Sequence, residues 1–401
     1  MKRIVRFMID YIRLMLAWLL VHTVNRSLLK QNIWLIREKR DEARDNGYHF
    51  FKYLREHHPE IHAFYVITRR SVDRYKIEQY GNLIEADSWQ HCLYFLAAKY
   101  SIGSQPYGAF PFRFGAKEMN YVQMLCNQKQ KVVFLQHGII KDKLAVNSFG
   151  YNFCNIDYFV TSAQREYDFV KATYQYPDDA IGCVGLARFD RLLTEHIVED
   201  KILVMPTWRM WLASNPTESD QEKKKRFNES GYFKAYSNLL QDKSLIQYLR
   251  NHNYTLVFYM HYKLQPYSEM FRLFENDVII IADQKNYDVQ DLLMSSKLMI
   301  TDYSSVYFDF AYMNKPVIYY QFDKEQFRQG HFAEGYFSYE KDGFGPCFDK
   351  WENMRQYIFD MIDKQCCQPE QYDLRVQDFF NLRDNHNCER TYNAIKSLEE
   401  R

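Results

Sequence analysis

The sequence predicts an α/β protein of two Rossmann-like parallel-sheet domains, led by an amphipathic helix. Three observations predict it. From about residue 60, short apolar runs alternate with helical stretches, the pattern of repeated βα units. The length, 401 residues, suits two domains of about 150 to 200 residues each. The apolar runs also fall into two sets, parted by the stretch 185–200, which passes into charged residues.

The first element is the helix. Stepped at about 100° per residue, Lys2, Arg3, Arg6, Asp10 and Arg13 fall within roughly a 100° arc, and Ile4, Phe7, Met8, Tyr11, Ile12, Met15 and Trp18 fill much of the rest. The apolar run 14–21 is shorter than the about 20 residues a spanning helix needs. An interrupted apolar region with no small-residue cleavage site argues against a signal peptide. Two readings remain: a helix lying on an anionic membrane surface, or one packed on its own domain. Residues 1–30 are assigned to this helix, 31–195 to the first domain and 196–401 to the second.

Strands of the first domain are expected at 62–68, 100–103, 131–136, 157–161 and 181–184. Those of the second are expected at 201–205, 254–259, 278–282, 298–301 and 316–320. The polar stretch 211–226, with Asn215-Pro216 and a lysine run at 223–225, is expected to form a mobile insertion.

Composition narrows the function. Hydrophobic residues at 47% and charged residues at 26% exclude disorder and a polytopic membrane protein. Lys plus Arg (52) cancels Asp plus Glu (51), so no basic field invites a nucleic acid. Eight cysteines without C-x-x-C spacing suggest reduced thiols rather than a zinc site or a disulfide framework.

In open parallel sheets, ligands gather at the carboxyl ends of strands. Phe134-Leu135-Gln136-His137-Gly138 delivers a histidine at such an end, with glycine beside it to let backbone approach a ligand. Imidazole is the usual base for an alcohol, although a strand-end histidine is more often structural. Thr301-Asp302-Tyr303-Ser304-Ser305 is a hydroxyl-rich turn between a strand and a helix, suited to a diphosphate if a serine caps the helix. The strand 254–259 ends at His261 and Lys263, which suit the charge of a leaving phosphate. The strand 201–205 leads to Thr207-Trp208-Arg209, whose arginine suits a phosphate or an ion pair.

Taken in order, these motifs resemble the CDP-glycerol glycerophosphotransferase family, which builds teichoic acids and related capsule polymers. The resemblance rests on Gln136-His137-Gly138, Asp157-Tyr158-Phe159-Val160, Gly185-Leu186-Ala187-Arg188-Phe189-Asp190, Pro206-Thr207-Trp208-Arg209 and His261. The longest piece is Ile300 through Phe310 with Lys315-Pro316-Val317-Ile318-Tyr319-Tyr320. It implies a GT-B-like fold, two Rossmann-like domains facing a cleft, with the nucleotide on the second.

By the same resemblance, His137 would be the base and His261 a contact of the donor diphosphate. Gly138, Arg209, Thr301, Asp302, Ser304 and Ser305 would bind substrate. The donor would be CDP-glycerol and the acceptor a polyprenyl-linked saccharide or polymer, at the cytoplasmic face of a membrane. With no D-x-D motif at a suitable strand end, neither metal nor other cofactor is expected. Gln136 stands where many members have tryptophan. CDP-ribitol transfer and glycosyl transfer are the alternative enzyme readings, and a non-catalytic membrane-associated scaffold is the third.

Overall fold

The structure, a computed structural model, describes residues 2–112, 129–213 and 218–399. The chain forms two units. The first comprises Met1–Ile139, Leu144–Arg191 and Asp384–Arg401; the second comprises Ile140–Lys143 and Leu192–Arg383.

The first unit holds a seven-stranded sheet of β1 (Trp34–Arg37), β2 (Ala63–Ile67), β3 (Leu83–Glu85), β4 (Tyr100–Gly103), β5 (Lys131–Phe134), β6 (Tyr158–Thr161) and β7 (Ile181–Cys183). Their order is β3-β2-β1-β4-β5-β6-β7, and every pairing is parallel. All four residues of β1, β4 and β6 are buried. Short strands of this kind read as continuous apolar runs because both faces are covered. The strands expected from the sequence begin near residue 60 and omit β1, an inner strand paired between β2 and β4.

The second unit is built from β8 (Glu199–Val204), β9 (Thr255–Tyr259), β10 (Ile279–Ala282), β11 (Ser296–Thr301), β12 (Val317–Tyr320) and β13 (Cys347–Phe348). The order is β10-β9-β8-β11-β12-β13, again parallel throughout. Its core joins Ile202, Val204, Leu256, Phe258, Leu298 and Ile300 to the helices over them.

The N-terminal helix α1 (Lys2–His22) packs on its own domain along one face. Leu14, Ala17 and Val21 have no exposed surface and join the core of the first unit against the helix Trp89–Ala97. Asp10 is buried on this same side, and Arg13 donates to the Asp87 carbonyl at 3.0 Å, so part of the charged arc faces protein. Val5, Met8, Ile9, Ile12, Leu16 and Leu19 are exposed. Stepped round the helix, these six lie within about a 100° arc opposite the buried face.

Two further expectations change. The stretch read as a mobile insertion contains the helix Asp220–Glu229, opened by a capping box between Ser219 and Glu222; residues 214–217 lie outside the described residues. The C-terminal segment, assigned from sequence to the second domain, belongs to the first unit. The first turn of its helix Asn387–Ser397 donates to the Asp190 carboxylate, through Asn387 N at 2.7 Å and Cys388 N at 2.9 Å. Gly185 lies under it with φ +87°, where a Cβ would meet Asn387 Oδ1 at 1.6 Å. The Gly185 to Asp190 motif therefore docks the chain's last helix.

Candidate functional site

In the first unit the site is the end of β5. After Phe134 the chain turns through Gln136, whose φ of 60° is left-handed, and presents His137 with its side chain exposed. Gly138 is buried and is not among the left-handed glycines, so the special backbone conformation falls one residue before the histidine. Crowding by protein lowers the His137 pKa from its ordinary value. Asp45 opposes that shift, Arg188 and Lys39 add to it, and a hydrogen bond to the Ser104 backbone raises it. A ring held through a carbonyl has one nitrogen protonated, which leaves the other free to accept a proton.

The surroundings of His137 come from three strand ends. Ser104 follows β4 and is buried; its Oγ accepts from Gly47 N at 3.1 Å. Arg188, beyond β7, donates to Asp45 Oδ1 at 2.6 Å. Helix α2 (Asn46–His57), after β1, has Asp45 as its cap, with the carboxylate accepting from Asn46 N. Asn46 donates through Nδ2 to the carbonyls of Leu135 at 3.2 Å and Gln136 at 2.9 Å. Asn46, Ser104 and Asp45 escaped the sequence reading, because their roles run through backbone groups and partners distant in the chain.

In the second unit the ends of β8, β9, β11 and β12 bring together His261, Arg209, Thr301, Asp302, Ser304 and Ser305. Arg209 and Asp302 have no exposed surface and pair at 2.9 Å. Asp323, after β12, takes the guanidinium from the other side at 2.7 Å. Aromatic rings of Tyr232, Tyr303, Phe322 and Phe327 lie 5.1–5.7 Å from it. Burial disfavours the charge, yet the two carboxylates hold the Arg209 pKa above its ordinary value. Arg209 thus sits behind the surface with its charge answered by protein, rather than offering it to a phosphate.

Asp302 also accepts from Thr207 N at 2.8 Å and from the Tyr236 hydroxyl at 3.3 Å, and Thr301 Oγ1 donates to the Met205 carbonyl at 2.7 Å. These two residues fix the turn from within. Ser304 and Ser305 are half-buried beyond them. The expected serine cap is absent: the helix Tyr307–Tyr312 is capped by Val306, and Ser304 Oγ accepts from Val306 N at 3.4 Å.

His261 is half-buried and stacks on Trp208 with centroids 6.1 Å apart. The Lys263 ammonium lies 3.4 Å from the centre of the Trp208 ring. His331, absent from the sequence reading, meets the same tryptophan edge-on at 4.5 Å. Its Nδ1 accepts from Met210 N at 3.1 Å, and its Nε2 finds no partner among the described residues. Burial, with Arg209 and Lys263, lowers its pKa to about 4, so it is neutral at pH 7. The second unit therefore gathers hydroxyl, imidazole and ammonium donors suited to a phosphate group.

The family model of CDP-Glycerol:Poly(glycerophosphate) glycerophosphotransferase matches residues 19–397. The minor teichoic acid biosynthesis protein GgaB of Bacillus subtilis (strain 168) is 33% identical over 383 residues, covering 95% of this chain and 41% of GgaB. The teichoic acid poly(glycerol phosphate) polymerase of the same strain is 23% identical over 369 residues, covering 87% and 46%. The chain thus spans less than half the length of these two relatives. Among solved structures, the wall teichoic acid polymerase TagF has a similar fold, with a TM-score of 0.65 at 16% identity over 98% of this chain and 99% of that one. That likeness agrees with the GT-B-like fold class expected from the sequence.

Proposed function

The chain belongs to the CDP-glycerol:poly(glycerophosphate) glycerophosphotransferase family, and from this we propose that it transfers glycerol phosphate from CDP-glycerol to a hydroxyl of a teichoic-acid or capsule acceptor. The observation that carries the reading is His137: an imidazole at a strand end on an exposed residue, its ring held by the Ser104 backbone and its pKa lowered by the protein around it. Such a group is neutral at pH 7 and has a nitrogen free to take a proton.

In the reaction, His137 removes the proton of the acceptor hydroxyl as its oxygen attacks the phosphorus that carries glycerol. The new P–O bond forms as the bond to the other phosphate breaks, CMP departs with the electron pair, and the imidazolium returns its proton to solvent. Ser304, Ser305 and His261 hold the donor diphosphate, with Lys263 and His331 as neighbouring donors. Thr301, Asp302 and Arg209 keep that turn in place from behind. Preorganised donors of this kind stabilise charge as it develops on the leaving phosphate.

The acceptor is a polyprenyl-linked saccharide or polymer, and the exposed apolar face of α1 rests on the membrane that holds it. In this reading the contact is peripheral and at the cytoplasmic face; among the described residues no helix is long and apolar enough to cross a bilayer. Supporting it, six apolar side chains stay uncovered on a helix whose other face is anchored in the first unit.

The test is CMP release from CDP-glycerol with bacterial membranes as acceptor, for the native chain and for His137→Ala. Release by the native chain, falling by about 10² to 10⁴ in the variant, is the expected result. Release from CDP-ribitol alone would change the polyol and keep the chemistry; release only from a UDP-sugar would overturn the reading.

A further inference from the structure

We propose that Asn46 is a positioning residue for His137, acting through the backbone of Leu135 and Gln136; the proposal rests on the reading of His137 as the base.

Asn46 has no exposed surface, and both ends of its amide are engaged. Nδ2 donates to the carbonyls of Leu135 and Gln136 at 3.2 and 2.9 Å, the two peptide groups that lead into His137. Oδ1 accepts from Arg188 N at 3.0 Å. One side chain therefore ties the approach to His137 to the residue whose guanidinium pairs with Asp45.

Gln136 shows why such a tie is needed. Its φ of 60° is a conformation that strains a residue with a Cβ and persists only where the surroundings impose it. Asn46 holds its carbonyl. On the other side its Nε2 donates to the Val160 carbonyl and, at 3.2 Å, to Glu166 Oε1. Glu166 is itself fully buried and fixed by Ser162 N at 2.7 Å. The turn is thus fastened at both its backbone and its side chain.

The same first turn of α2 reaches the imidazole by a second route. Gly47 N donates to Ser104 Oγ at 3.1 Å, and the Ser104 backbone bonds the His137 ring. The start of α2 therefore governs both the backbone that carries His137 and the carbonyl that orients its ring. Core packing alone gives no reason for this, because the segment so fixed ends in an exposed side chain. A reacting base does need it: a displacement of about 1 Å can cost on the order of 10² in rate.

The experiment compares the native chain with His137→Ala, Asn46→Ala, Asn46→Asp and Asn46→Ser in CMP release from CDP-glycerol with bacterial membranes. Folding of the first unit is followed by amide hydrogen exchange across β1 to β7, so that kcat is expressed per folded molecule. Asn46→Asp keeps the acceptor for Arg188 N but removes the amide donors. Asn46→Ala and Asn46→Asp are both expected to lose about tenfold or more in kcat, with KM for CDP-glycerol within about twofold of native. Should neither fold, Asn46→Ser, whose shorter hydroxyl replaces the amide, is judged by the same criterion. A smaller loss in kcat, or a loss confined to KM, beside an inactive His137→Ala overturns the proposal. Native turnover by His137→Ala would instead remove the reading beneath it.

Discussion

Arg209 and Asp302 form an ion pair at 2.9 Å in which neither side chain keeps any exposed surface, and Asp323 closes the guanidinium from its other side. Removing one member of such a pair leaves a buried charge unanswered. Arg209→Met is therefore expected to destabilise the second unit by about 3–5 kcal/mol, read from urea unfolding followed on that unit. Native stability with weakened binding of CDP-glycerol would mean that Arg209 touches phosphate directly.

The acid limb of turnover should report His137. Its pKa is lowered from the ordinary 6.5 by crowding, Arg188 and Lys39, against Asp45 and the Ser104 bond. The neutral ring does the work, so the rate should hold down to pH 6.5 and fall only as pH drops through the folded pKa. A kcat/KM profile with its acid midpoint at or above 6.5 would contradict this.

Stability should also fall with acid, through His91. That ring is fully buried; it accepts from Asp87 N at 3.0 Å and meets the Ala109 carbonyl at 2.8 Å, and burial first, then Arg37, lowers its pKa to about 3. The folded pKa is below the unfolded one, so the unfolded chain binds the proton first. The contribution is complete above about pH 6.5 and is lost towards pH 3, at up to about 1.4 kcal/mol per unit. Melting temperatures of the native chain and His91→Gln between pH 7 and 4 should converge as pH falls; parallel curves would discount His91.

Deleting α1 would strip Leu14, Ala17 and Val21 from the core of the first unit, so deletion is a poor probe of membrane contact. Replacing Ile9, Ile12 and Leu16 together by serine changes only exposed positions. This triple variant should keep the native melting temperature within a few degrees and cease to sediment with vesicles containing anionic lipid. Undiminished sedimentation would dismiss the apolar face as the point of contact.

Asp190→Ala should loosen the C-terminal helix. It removes the carboxylate that accepts from Asn387 N and Cys388 N, at a cost of about 1–2 kcal/mol. Faster hydrogen exchange in 387–397 with β8 to β13 unchanged is the expected pattern; uniform change across both units would mean that the helix is not separately held.

Particular residues show what the sequence could disclose. His137 and the Ser304–Ser305 turn were legible because a polar residue directly after an apolar run marks a strand end, where parallel sheets place chemistry. β1 was missed because Trp34–Arg37 follows closely on the apolar residues of the amphipathic start and ends in a charged residue, so it does not stand out as a separate run. β3 has only two apolar residues before Glu85, and β13 is two residues long, so each carries too little pattern to find. The place of Arg209 was hidden for another reason: the partner that completes its enclosure, Asp323, lies 114 residues away. Asn46 looks from sequence like any residue at a helix start, and only the fold sets its amide beneath the turn before His137.

The return of 384–401 to the first unit bears on the order in which the protein is made. A ribosome completes all of the second unit's segments before it begins the helix Asn387–Ser397. Until that helix emerges, Gly185 and Asp190 face solvent without their partner and the first unit is unfinished. The second unit has its whole complement of strands earlier. The first unit thus has its seven strands before β8 is made, yet receives its last segment only after the second unit has all of its own.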